Sequence, residues 1–177
     1  MPIPEYVRRL RRHVGHDLLW LVGATAVVLR DLAGREHVLL VRRVDTGDWS
    51  AITGIVDPGE EPHVTAVREC VEEACVEAVV ERLVWVNVGA VTTYSNGDRA
   101  QYLEHTFRCR WVAGEGAVGD DENHEVRWWP TDALPHMPER FASRVHVALA
   151  NEPEVRLGAL SDGVHHGAGA RHANRAL

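Results

Sequence analysis

The amino-acid sequence predicts a mixed α and β domain, and three features predict it. A helical pattern from about residue 63 to residue 74 lies between runs rich in β-branched residues, and a second helical pattern covers 139–150. The chain has 177 residues, enough for one domain with or without tails. No internal repeat divides it, so the expected organisation is one domain over 1–157 followed by a poorly ordered tail over 158–177.

The elements follow in order. Residues 4–13 predict a short basic helix with Tyr6, Val7 and Leu10 on one apolar side. LLWLVGATAVVLR (18–30) and HVLLVRRV (37–44) predict an antiparallel hairpin around the Gly-containing turn DLAGRE. TGDWSAITGIVDPGEEP (46–62) is turn-rich, and its Pro-Gly punctuation introduces the helix of 63–74. Residues 79–94 predict one or two strands, SNGD a turn, and 101–113 a strand. In that strand Leu103, Phe107 and Cys109 share one side, with Tyr102, Glu104, Thr106, Arg108 and Arg110 on the other. GEGAVGDDENHE (114–125) is an acidic loop before a short strand VRWW, and Glu139 to Ala150 a closing helix. In the tail, His165, His166 and His172 read as solvated residues rather than metal ligands.

Composition narrows the partners. A formal charge of −7 argues against general nucleic-acid backbone binding, which needs a basic footprint. Six tryptophans against two phenylalanines predict a large aromatic core. Cys70, Cys75 and Cys109 lack metal-ligand spacing, the N-terminus lacks an apolar signal segment, and no apolar run approaches the roughly 18 residues of a membrane span. A reducing cytoplasm with free thiols is the expected setting, away from membranes.

The chemistry concentrates in GIVDPGEEPHVTAVRECVEEACV, residues 54–76. At about 100° per residue, Glu69, Glu72 and Glu73 fall within an arc of roughly 100°, with Val64, Val67, Val71 and Ala74 opposite, which predicts a valine face packed inward and a carboxylate face outward. Like charges at i,i+3 and i,i+4 repel. A hard divalent cation, Mg²⁺ or Mn²⁺, removes that conflict. Gly54 and Gly59 are expected to permit tight turns and Pro58 to stiffen the approach, bringing Glu60 towards the helix.

The segment resembles the Nudix box, G-x5-E-x7-R-E-U-x-E-E-x-G-U with U aliphatic. Gly54, Glu60, Arg68, Glu69, Glu72, Glu73 and Val76 match in register. Six fixed identities arise by chance with a probability on the order of 10⁻⁷ per start position. Cys70 replaces an aliphatic residue and Cys75 the last glycine, where a positive φ would cost about 1 kcal/mol. A catalytic thiol at Cys70 or Cys75 is the lesser alternative.

The resemblance implies an α/β/α sandwich with a mixed sheet, of the α+β class. It implies a Mg²⁺-dependent hydrolase of a phosphoanhydride in a nucleoside diphosphate linked to another moiety, most simply a nucleoside triphosphate. Glu69 and Glu73 become the first-choice metal ligands, Glu72 a third ligand or a holder of water, and the backbone near Thr53 and Gly54 a carbonyl donor. Arg68 and Glu60 would pair to orient the carboxylates. The general base varies within the family: a box glutamate, or Glu125, then Glu122, from the acidic stretch that also holds Asp120 and Asp121. Trp49 and Tyr94 are the candidates to stack a base, whereas Arg42, Arg43, Arg108 and Arg110 are expected to form surface ion pairs, with phosphate contact the lesser alternative. A homodimer is compatible with the resemblance. Alternatives are a Nudix-fold nucleotide sensor without catalysis, a dinucleoside polyphosphate or ADP-ribose hydrolase, and an isoprenoid diphosphate isomerase, the last without a matching cysteine.

Overall fold

The computed structural model describes residues 3–159, so the tail histidines and all but two residues of the expected tail lie outside the described residues. A nine-stranded mixed sheet is built on β1 (Leu19–Leu32). β2 (Arg35–Arg43) returns antiparallel through Ala33 and Gly34, whose φ values of 55° and 81° give the left-handed pair that a tight hairpin needs. β4 (Ile52–Ile55) pairs with the opposite end of β1, residues 23–26. On the other side of β1, β7 (Arg99–Ala113) runs parallel and β5 (Glu77–Val88) runs antiparallel to β7. β3 (Trp49–Ser50) and β8 (Asn123–Pro130) flank β2, and β6 (Thr92–Thr93) folds back on β7. β9 (Arg156–Leu157) adds a short parallel edge to β5, fixed by Trp85 Nε1 donating to the Gly158 carbonyl at 2.8 Å.

Among the described residues three helices complete the sandwich: α1 (Glu5–Val14), α2 (Pro62–Ala74) and α3 (Glu139–Ala150). α2 covers one face, packing on Ala24, Ala26, Val28, Leu39, Val41, Phe107 and Cys109. α3 covers the other over Val27, Leu29, Val38 and Leu40, and α1 joins that face at Leu21. With helices on both faces, β1 is buried continuously from Gly23 to Leu29, as a strand covered on both sides must be. The same cover explains β7, whose polar side is also inside: Thr106 is fully buried, and Glu104 accepts from Arg144 of α3 at 2.8 Å. Among the described residues no helix is long and apolar enough to cross a membrane.

Two expectations are corrected and one is refined. α2 does not pack through its valines. Thr65, Ala66, Glu69, Cys70, Glu73 and Ala74 are buried, whereas Val64 and Val71 are 47% and 51% exposed. Small residues let the helix axis approach the sheet closely, which valines would prevent. The tryptophans serve the core mostly from its margin: Trp85 is buried, Trp20 is exposed, and the other four are half-buried, packed against the core clusters and stacked in part with arginines. Leu10 is exposed, so Val7 is the buried anchor of α1.

All three cysteines are free thiols, with Cys70 and Cys109 buried. Burial raises both thiols, Cys109 to about 12, so neither is a nucleophile near neutral pH. Cys75 ends α2 at φ 53°, ψ 38°, the left-handed cap that glycine fills without strain. Its side chain is exposed, so Cys75→Gly sacrifices no packing. That change is expected to stabilise the fold by about 1 kcal/mol, after allowing for glycine's extra backbone entropy, and to raise the thermal midpoint by about 2–4 °C. Differential scanning calorimetry checks it; an unchanged or lower midpoint means the cap is unstrained.

Candidate functional site

The close seat of α2 has a chemical consequence. Glu69 is wholly buried and lies flat against Gly54 of β4, where a Cβ would stand 2.1 Å from Glu69 Oε1. Gly54 therefore gives clearance within an extended strand rather than a turn, which corrects its expected role. The turn belongs to Gly59, at φ +88°, which brings Glu60 back over the helix.

Arg68 is the hub of the carboxylates. Its Nε and Nη2 donate to Glu60 Oε1 and Oε2 at 3.0 Å each, and Nη1 donates to Glu69 Oε1 at 2.8 Å and to Glu72 Oε2 at 3.0 Å. Thr65 Oγ1 adds a bond to Glu60 Oε2 at 2.6 Å. The Arg68 hydrogen bonds, with that from Thr65, hold the Glu60 carboxyl down at about 2 from an ordinary 4.5. A carboxyl depressed in the folded state adds stability that is complete above its unfolded value and is lost as pH falls through its folded value. Glu60→Gln is thus expected to lower the thermal midpoint at neutral pH. The gap from wild type should close as pH drops from about 4.5 towards about 2. Parallel melts across that window test it; a constant gap would show that Glu60 acts without its charge.

Glu69 and Glu73 behave oppositely. Burial, with neighbouring carboxylates adding, raises Glu69 to about 8 against the pull of Arg68. Burial also raises Glu73 to about 7, with Asp120 adding and the hydrogen bond from Asn123 Nδ2 at 2.9 Å opposing. The loop of residues 114–122 closes the end of α2, its Ala117 and Gly119 N–H groups donating to the carbonyls of Ala74 and Glu73 at 2.9 and 3.0 Å.

A divalent cation fits this donor set. Burial of Glu69 and Glu73 outweighs the positive charge near each, Arg68 for Glu69 and Arg43 for Glu73, and Glu69 Oε2 is a buried acceptor without a hydrogen-bond partner. Hard oxygens of this kind suit Mg²⁺ or Mn²⁺. Among the described residues the carboxylates do not already converge on one point, because Arg68 holds Glu69 and Glu72 while Asn123 holds Glu73.

Gly54, Glu60, Arg68, Glu69 and Glu72 therefore form one network, with Glu73 one helical turn along from Glu69. Arg43 and Asp120 stand within electrostatic reach of Glu73, and the other expected residues lie outside the Arg68 network. Glu125 is on β8 rather than in a loop, and it pairs with Arg42, as does Trp49. Directly paired residues share a face. The neighbouring pair Val41 and Val126 lies on the α2 face, so the row Trp49, Arg42, Glu125 points to the α3 face. There Trp49 meets Trp129 edge-on at 5.4 Å, and Glu125 lies 3.7 Å from Arg42. Tyr94 sets its hydroxyl 2.6 Å from that of Tyr102 and stands within electrostatic reach of Arg43. Arg43 chelates Asp45 through two bonds of 2.9 Å, and Arg108 ties Glu36, Glu81 and the Ala148 carbonyl together. Asn123 was not foreseen: a single asparagine in an acidic stretch carries no periodic or motif signal.

The sandwich and its carboxylate-bearing helix define a Nudix-type domain. A NUDIX domain family model matches residues 20–150, and the chain belongs to that family. It is 31% identical over 137 residues to a MutT-like protein of Streptomyces ambofaciens, covering 76% of this chain and 81% of that one. It is also 31% identical over 114 residues to the NAD-capped RNA hydrolase NudC of Pseudomonas aeruginosa, covering 63% of this chain but only 38% of the relative's length. A crystal structure of a UDP-X diphosphatase shares the fold at a TM-score of 0.58 and 21% identity, covering 88% of this chain and 74% of that one.

Proposed function

We propose that the protein hydrolyses a phosphoanhydride bond in a nucleoside diphosphate derivative, a nucleoside triphosphate foremost, with Mg²⁺ or Mn²⁺ as cofactor. The observation that carries this is the pair Glu69 and Glu73, carboxylates buried at a cost that only positive charge offsets. Glu69 and Glu73 would hold the cation, with Glu72 beside them as the solvent-facing carboxylate. Held by these residues, a divalent cation would supply positive charge against phosphate oxygens and Lewis acidity towards water. Arg68, itself fixed by Glu60, keeps the oxygens of Glu69 and Glu72 oriented. Glu72, 48% exposed at its side chain, is the carboxylate open to take a proton from an attacking water. Asp120, within electrostatic reach of Glu73, replaces Glu125 as the loop alternative, since Glu125 faces the other side of the sheet.

The activity named for the NudC relative, on NAD-capped RNA, supports a nucleotide with a diphosphate bridge as the substrate class. The test is incubation with Mg²⁺ and a panel of nucleoside triphosphates, dinucleotides and sugar nucleotides, with products resolved in ¹⁸O-labelled water. Release of a nucleoside monophosphate with label at one phosphorus is expected. No turnover across the panel overturns the assignment.

A further inference from the structure

We infer that Asn123 is a positioning residue for Glu73, delivered to it by a strap anchored on a cluster of two tryptophans and an arginine. The strap is the segment 114–122. At its root, Arg30 stacks on Trp128 at 4.0 Å and lies 5.5 Å from Trp111. The two indoles donate to the strap's own carbonyls, Trp111 Nε1 to Gly114 at 2.7 Å and Trp128 Nε1 to Glu115 at 2.9 Å. The strap then lies directly on the end of α2. A Cβ at Gly114 would stand 2.4 Å from the Cys75 carbonyl oxygen, and one at Gly119 would stand 2.0 Å from that of Glu72. Only glycine allows this approach, and the Ala117 and Gly119 amide bonds to Ala74 and Glu73 depend on it.

The strap ends at a bulge. Arg42 pairs with Glu125 but Arg43 pairs with Asn123, so His124 is extra and the register shifts by one. A bulge re-aims a side chain. In unbroken alternation Asn123 would share the α3 face with Glu125; the extra residue turns it to the α2 face, where Nδ2 reaches Glu73 Oε2 at 2.9 Å. Asn123 is 4% exposed, and among the described residues it is the side chain that donates a hydrogen bond to Glu73. A buried carboxylate with one donor is held in one rotamer by that donor. Losing an outer partner of this kind typically costs 10–100-fold in metal affinity.

With Glu73 taken as a cation ligand, as proposed above, Mn²⁺ titration calorimetry separates the two claims. Wild type, Asn123→Leu, Glu73→Gln and the double variant are compared, with circular dichroism as a check of folding. Asn123→Leu should weaken Mn²⁺ binding about 10–100-fold. At saturating metal it should lower kcat with KM for the nucleotide within about twofold. The double variant should bind no more weakly than Glu73→Gln alone, because the two changes act through one group. Mn²⁺ affinity within twofold of wild type in Asn123→Leu, or additive losses in the double variant, overturns the positioning role. Undiminished Mn²⁺ binding by Glu73→Gln overturns the cation site itself. If Asn123→Leu does not fold, Asn123→Ser, too short to reach Glu73, is read by the same outcomes.

Discussion

Gly54→Ala is expected to lower kcat/KM roughly 100-fold or more, although neither residue is charged. The added Cβ would stand 2.1 Å from Glu69 Oε1 and 2.3 Å from its carboxyl carbon, well inside any tolerable contact. Gly54 lies in β4 with no left-handed φ, so alanine meets no backbone obstacle and the effect is wholly steric. The strand is paired with β1 and cannot retreat, so the carboxylate must move. A displacement of about 1 Å in a site of this kind costs on the order of 100-fold in rate. Overpacking should also destabilise the fold by about 1–3 kcal/mol. Steady-state kinetics with a thermal melt check both; full activity would show that Glu69 has no fixed position to lose.

Glu73→Gln is expected to remove at least about 100-fold of the activity while leaving the fold as stable as wild type or more so. The amide is nearly isosteric, and its oxygen still accepts from Asn123 Nδ2, so the hydrogen bond survives. What disappears is a negative charge that burial disfavours. A site that trades stability for function responds in this divided way. Activity and melting are measured on the same preparation. A large drop in midpoint would mean that Glu73 serves the fold, and undiminished turnover that it does not serve the reaction.

The proposed cation would join elements that the sequence places far apart: Gly54 on a strand, Glu69 and Glu73 on a helix, Asn123 after a strap more than forty residues downstream. The first three were legible because the box is a contiguous segment with fixed spacing. Arg68 and Glu60 were legible for the same reason, and their ion pair forms as that spacing implies. Glu125 and Trp49 were legible only as residue types near the right place. The row they form with Arg42 depends on the pairing of β3, β2 and β8, and no local pattern encodes which face that row takes.

By itself the sequence determined the three helices, the carboxylate-bearing one among them, the long strands and the hairpin turn, because helix periodicity, turn residues and motif spacing act within a few residues. It did not determine β3 and β4, inside a stretch that reads as turns, or the short β9. The resemblance to the box placed the helix cap at Cys75, and the structure gives that residue the left-handed conformation. Only the tertiary structure decided that α2 buries its glutamates and turns Val64 and Val71 outward. Periodicity ranks faces by hydrophobicity, whereas the packed helix is seated by what fits closest to the sheet: Ala66, Cys70 and Ala74 fit, and Gly54 makes room for Glu69. The tertiary structure likewise placed Asn123 against Glu73, through one extra residue in a strand and a strap held by two tryptophans about an arginine. Those contacts close over long loops, and their register is set by packing on both faces of the sheet at once.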